Sequence, residues 1–263
     1  MSAISQVFEK AKSENRAALI GYMPASFPNK NLSISLINAM VDGGVDLIEV
    51  GYPYSDPVMD GPVIQRASQV ALSHGFTAED IFTIVSQVKA PTLVMSYWNP
   101  IERMGVKKFV SKFESAGGVG VITPDLTIEE SQEWIETTTE RSVDRVYVVA
   151  PSSNDERLAQ VVKQCSGFVY AASLMGVTGA RTVLSSTARE LVARLRSHTS
   201  LPIAVGLGVS NADQARDVAN FADGVIVGSA FISLVQNSSN EKEALEKVRV
   251  LASELAQAVR ERG

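Results

Sequence analysis

Short runs of Val, Ile and Leu, five to seven residues long, recur along the chain, with longer segments of helical periodicity between them. The runs are Ala17–Met23, Asp46–Gly51, Thr92–Tyr97, Gly118–Ile122, Arg145–Ala150, Gly167–Ala172, Pro202–Gly206 and Gly224–Gly228. They lack the in/out alternation of a sheet with one wet face, which suits parallel strands covered on both sides. Leu32, Leu36 and Met40, with Ile37 and Val41, form a stripe at spacings of three and four that stops at Gly43-Gly44. Thr77 followed by Asp80, with Ile81, Ile84, Val85 and Val88 behind them, predicts a capped helix start. Leu191, Val192 and Leu195 mark another helix ahead of Pro202, and Leu245, Val248, Leu251, Leu255 and Val259 mark a long C-terminal one. Ser5 to Ser13, with Val7, Phe8 and Ala11 on one side, predicts an extra helix before the first strand.

Eight strand–helix pairs in 263 residues is the arithmetic of an α/β fold of one kind, a (β/α)8 TIM barrel, here with an extra N-terminal helix. No linker rich in Pro, Gly or Ser and no shift in charge divides the sequence, so residues 1–263 read as a single barrel domain. A doubly wound open sheet has the same alternation but expects a glycine-rich turn after its first strand. The segment Tyr22-Met23-Pro24-Ala25-Ser26-Phe27-Pro28 has no glycine, and the barrel is favoured.

Composition narrows the function. With 45% hydrophobic and 20% charged residues the chain can bury a sizeable core, and a net charge of −5 argues against nucleic acid or an anionic membrane as the main partner. No apolar run approaches the roughly 20 residues needed to span a bilayer, and Met1 to Lys12 lacks an apolar signal core. The one cysteine, Cys165, excludes an internal disulfide and reads as a small buried residue at a helix end; a reducing, cytoplasmic location is expected. His74 and His198 lie far apart in helical segments, so neither a zinc site nor a Ser–His site is expected, and no dinucleotide or P-loop pattern occurs.

The chemistry should lie in the loops at the C-terminal ends of the strands. There the stretch from Leu47 to Pro62 places one carboxylate, Glu49, near the end of an apolar strand and a second, Asp60, in the loop of prolines and glycine that follows. Burying an ionised acid is costly. Taken singly, Glu49 could be a structural carboxylate satisfied by backbone donors or an ion pair, and Asp60 could cap the helix opened by Gly61-Pro62. Taken together they point to acid/base chemistry. Tyr22, Tyr97, Asp125 and Tyr170 close strands 1, 3, 4 and 6 or follow them directly, and converge on the same mouth. Gly176-Val177-Thr178-Gly179, Gly206-Leu207-Gly208-Val209-Ser210 and Gly228-Ser229-Ala230 follow strands 6, 7 and 8, with Ser210 or Asn211 placed to cap the next helix. Glycines let backbone N–H groups approach a ligand and helix N-termini add positive charge, so the ligand reads as a phosphate ester. By charge, Arg181 is a further candidate phosphate partner.

These residues resemble the tryptophan synthase alpha-subunit family. The segment Leu47-Ile48-Glu49-Val50-Gly51-x-Pro53-x-Ser55-Asp56-Pro57-x-x-Asp60-Gly61-Pro62-x-Ile64-Gln65 looks like its signature. The likeness continues through Met95-x-Tyr97-x-Asn99-Pro100, Ser173-x-x-Gly176-Val177-Thr178-Gly179, Gly206-x-Gly208-Val209 and Asp223-Gly224-Val225-Ile226-Val227-Gly228-Ser229. The family often has Thr-Ala-Gly-Asp-Pro where this chain reads Pro24-Ala25-Ser26-Phe27-Pro28, and Asp-Leu-Pro where it reads Asp125-Leu126-Thr127. The resemblance implies a lyase of tryptophan biosynthesis, cleaving indole-3-glycerol phosphate to indole and glyceraldehyde 3-phosphate. It implies Glu49 as the acid/base group and Asp60 as acceptor of the indole N–H. Tyr22, Tyr97 and Tyr170 would lie near the substrate, Gly179, Gly208, Gly228 and Ser229 at its phosphate, and Thr178 in a closing loop. It implies no cofactor in this chain and a beta-subunit partner carrying pyridoxal phosphate, in an alpha2beta2 complex. The loop Pro53 to Asp60 and Asn99-Pro100 would form the contact. Exposed Tyr52 and Tyr54 beside prolines fit a docking surface, though a loop packing on its own barrel would look the same. A stand-alone indole-glycerol phosphate lyase and a non-catalytic barrel that activates a partner are the competing readings.

Overall fold

The computed structural model describes residues 1–172, 181–206 and 208–261. In chain order its elements are α1 (Ala3–Ser13), β1 (Ala18–Pro24), α2 (Lys30–Asp42), β2 (Leu47–Gly51), α3 (Pro62–Ser73), α4 (Ala78–Val85), β3 (Thr92–Met95), α5 (Trp98–Met104), α6 (Val106–Ser115) and β4 (Gly120–Thr123). There follow α7 (Gln132–Glu140), β5 (Asp144–Val149), α8 (Asp155–Gln164), β6 (Val169–Ala172), α9 (Arg181–Arg196), β7 (Ile203–Gly206), α10 (Ala212–Ala219), β8 (Gly224–Val227), α11 (Ser229–Gln236) and α12 (Glu241–Ala258). All eight strands pair in parallel in sequence order, and β1 pairs with both β2 and β8, so the sheet closes into a barrel rather than lying open. None of the described helices is long and apolar enough to cross a membrane.

The burial explains why the strands lack alternation: both faces are covered. One apolar cluster fills the barrel axis, drawing Ala18 and Ile20, Leu47, Leu93, Ile122, Val146, Ala204 and Ile226 from seven strands, together with Phe168. Ile4, Phe8 and Ala11 of α1 join it, so the extra N-terminal helix plugs the bottom of the barrel. Gly120 and Gly224 make room for it, since a Cβ there would lie 2.8 Å from Ile4 and 3.1 Å from Phe8 respectively. The opposite faces of the strands pack against the outer helices in a second, larger cluster. Beside the plug, the buried Arg16 grips Asp46 through two hydrogen bonds of 2.6 and 2.8 Å, and Asp46 also accepts from Leu19 N–H. This clamp fixes the start of β2 against β1, and so the register of everything further along β2.

Two local readings change. β3 stops at Met95, so Tyr97 does not close a strand but is the N-cap residue of α5. Asp125 takes the Trp98 N–H at 2.9 Å, which turns the chain into that helix. Asp60 is not the cap of α3 either; Gly61 holds that position, with Pro62 first in the helix. The Thr77–Asp80 start stands as read, with Asp80 accepting the Thr77 N–H at 2.8 Å, and Asn211 rather than Ser210 caps α10.

Candidate active site

Side chains two residues apart on a strand share a face. Leu47 lies in the barrel axis, so Glu49 points the same way one layer higher; Tyr22 follows Ile20 and Tyr170 follows Phe168 by the same rule. Tyr22 and Glu49 are register partners across β1 and β2, which sets the phenol beside the carboxyl. Glu49 is 1% exposed, and its Oε2 has no hydrogen-bond partner among the described residues. Burial, followed by the nearby charge of Asp60, raises its pKa from 4.5 to about 8. A buried polar atom left unmatched by the fold is free for a ligand.

Asp60 enters from the side. The loop between β2 and α3 carries it over the mouth, where burial, only partly offset by the Tyr97 hydroxyl, raises its pKa from 3.8 to about 6. Tyr97, 4% exposed, accepts the Met59 N–H at 2.9 Å, and Gln65 Nε2 donates to the Asp60 carbonyl at 2.9 Å. The charges of Glu49 and Asp60 reach the hydroxyls of both Tyr22 and Tyr170, whose ionisation is pushed well up by burial. Two carboxyls and three phenols thus meet at one end of the barrel. Asp125, expected in the same mouth, is exposed and occupied with the Trp98 N–H.

Glycines shape this end. A Cβ on Gly51 would come within 2.6 Å of Tyr22 Cζ, and one on Gly206 within 2.9 Å of Tyr170 Cζ, so each tyrosine lies across a bare strand end. Gly228 plays the same part on the other side of Tyr22, with its Cβ position 3.0 Å from the ring. Neither Gly51 nor Gly206 was singled out for this role from sequence; a glycine at a strand end, one strand over from an inward tyrosine, is the signal that could have found them. On the β7–β8 side Gly208 has φ +66°, which favours glycine, and Gly228 with Ser229 opens α11 at the mouth end of β8, the helix end that carries N–H groups without intrahelical partners. Thr178 and Gly179 lie outside the described residues, as do the other residues of that glycine segment.

Tyr52 and Tyr54, expected to stand exposed, are half-buried: Tyr52 packs edge-on against Phe76 and Tyr54 against Tyr97, with ring centroids 5.1 and 5.3 Å apart. Val58 and Met59, 80% and 54% exposed, are the apolar side chains this loop presents to solvent. Cys165 ends α8, and burial pushes its thiol up to about 11, which agrees with the reading of a buried helix-end residue.

A family model described as tryptophan synthase alpha chain matches residues 8–260. The tryptophan synthase alpha chain of Streptomyces avermitilis is 52% identical over 261 residues, covering 98% of this chain and 94% of the relative. That of Thermobifida fusca is 52% identical over 266 residues, covering 99% and 98%. Among solved structures, Mycobacterium tuberculosis tryptophan synthase superposes with a TM-score of 0.91 at 45% identity, covering 98% of each chain. The Legionella pneumophila alpha subunit does so at 0.90 and 31% identity, also covering 98% of each. This chain belongs to the tryptophan synthase alpha-chain family, lyases that cleave indole-3-glycerol phosphate to indole and glyceraldehyde 3-phosphate.

Proposed function

We propose that Glu49 carries the proton transfers of this cleavage and that Asp60 holds the indole nitrogen. The carrying observation is the separation of two carboxyls in one mouth: Glu49 near 8 is protonated at neutral pH, while Asp60 near 6 is ionised. Protonated Glu49 delivers its proton to the indole ring carbon that bears the side chain, giving the cationic indolenine. The Asp60 carboxylate accepts the hydrogen bond of the ring N–H and stabilises that cation. The Glu49 carboxylate then takes the proton of the hydroxyl on the adjacent side-chain carbon. The carbon–carbon bond breaks, its electrons return to the ring as neutral indole, and the hydroxyl-bearing carbon becomes the aldehyde. Glu49 ends as it began. Proton transfers alone balance the reaction, so this reading calls for no cofactor in this chain.

Tyr22, Tyr97 and Tyr170 would wall the indole and glycerol portions, and Gly208, Gly228 and Ser229, with Thr178 and Gly179, would hold the phosphate and the closing loop. For partner, the reading is a tryptophan synthase beta subunit, to which pyridoxal phosphate would belong. Its support is the likeness to solved tryptophan synthase, the exposed Val58 and Met59, and a cleft of about 390 Å³ lined by Tyr52, Tyr54, Asn99, Pro100 and Arg103 on the same side of the mouth. The test is indole release from indole-3-glycerol phosphate by the wild type and Asp60→Asn. The variant is expected to lose at least a hundredfold in kcat; a rate near wild type would remove Asp60 from the mechanism.

A further inference from the structure

We propose that Tyr97 is a positioning residue for Asp60, its hydroxyl clasping the loop that carries this acid and turning the carboxylate towards the mouth. The inference rests on the reading of Asp60 given above. Residues 54–60 form neither helix nor strand. Both ends of this stretch meet Tyr97: the Tyr54 ring lies on the Tyr97 ring at 5.3 Å and 30°, and the Met59 N–H donates to the Tyr97 hydroxyl at 2.9 Å. Among the described residues, the other hydrogen bonds from this stretch to neighbouring structure come from Gln65.

Tyr97 is itself firmly held. It is 4% exposed, its carbonyl accepts from Ser96 Oγ at 2.9 Å, and the next residue is tied to Asp125. A phenol oxygen that accepts an amide hydrogen still has its own proton to donate. The acceptor within its reach is the Asp60 carboxyl, one residue beyond that amide. The hydroxyl therefore pins the backbone of the loop one residue before Asp60 and leaves its own proton for the neighbouring carboxyl. Among the described residues, the other titratable groups facing Asp60 are Glu49 from β2, Tyr22 from β1 and Tyr170 from β6, with Asp125 across Tyr97, and none of these is a cation. In this company the Tyr97 proton favours the ionised form of Asp60.

Tyr97→Phe removes the hydroxyl and keeps the ring on which Tyr54 packs. With the chain in complex with a beta subunit, kcat for indole release is expected to fall about ten- to a hundredfold, the size of losing a hydrogen bond to a charged group. The acid limb of the pH–rate profile should move to higher pH, because Asp60 then holds its proton longer; loosened packing alone would not move it. In an Asp60→Asn background, single-turnover rates should show no further loss from Tyr97→Phe. A wild-type kcat with an unmoved acid limb would overturn the clasp, as would a full multiplicative loss in the double variant. An Asp60→Asn variant of full activity would instead overturn the reading of Asp60, and the clasp with it.

Discussion

Burying the Glu49 carboxyl costs this fold stability. A carboxyl at 1% exposure with a pKa near 8 keeps its proton in the folded chain between pH 4.5 and 8, whereas the unfolded chain has released it. The folded state binds more protons across that window, so stability falls as pH rises through it, by about 1.4 kcal/mol per pH unit. Asp60 acts in the same direction over a narrower range. Glu49→Gln removes the larger contribution. Its urea midpoint is expected to gain on the wild type steadily from pH 5 to 8 and to stop gaining above about pH 9; a difference independent of pH would show that Glu49 ionises normally. Both acids were legible in the sequence, because a carboxylate inside an apolar strand and another in a proline-rich loop are hard to place by packing. The Tyr97 contact to Met59 was not, since it depends on how the loop folds back. Tyr52 and Tyr54 left two readings open for the same reason: beside prolines they fit a partner surface or their own barrel, and their rings find Phe76 and Tyr97 in their own chain.

At the scale of elements, the eight strands begin and end within two residues of where the apolar runs put them, because strands covered on both faces leave uninterrupted Val, Ile and Leu. Their ends were less legible. Gly51 and Gly206 close β2 and β7 not as turns but as gaps that Tyr22 and Tyr170 lie across. Gly51→Ala would put a methyl group 2.6 Å from Tyr22 Cζ, and a strand held in register by the Arg16–Asp46 clamp has little freedom to yield. Overpacking of this kind costs about 1–3 kcal/mol. The expected result is lower stability by urea unfolding together with weaker binding of indolepropanol phosphate. Adding Tyr22→Ala should return part of the stability in a non-additive way. Strict additivity would mean the two residues do not oppose each other.

The whole molecule has two unlike ends. At the bottom α1 seals the axis with Ile4, Phe8 and Ala11, and at the top the same axis ends in Glu49, Tyr22 and Tyr170, with Asp60 folded in above them. The sequence conveyed this polarity through the order of its elements, since every chemically suggestive residue follows the middle of a strand rather than preceding it. The loop from Pro53 to Asp60, expected from the resemblance to meet a partner, presents Val58 and Met59 as its outward apolar side chains. The most direct test of the account is indole release by Glu49→Gln, alone and with a beta subunit, with calorimetric titration of indolepropanol phosphate alongside. Turnover is expected to fall by at least a thousandfold in both states while the analogue binds within a few-fold of wild type. Turnover comparable to wild type in either state would contradict the account.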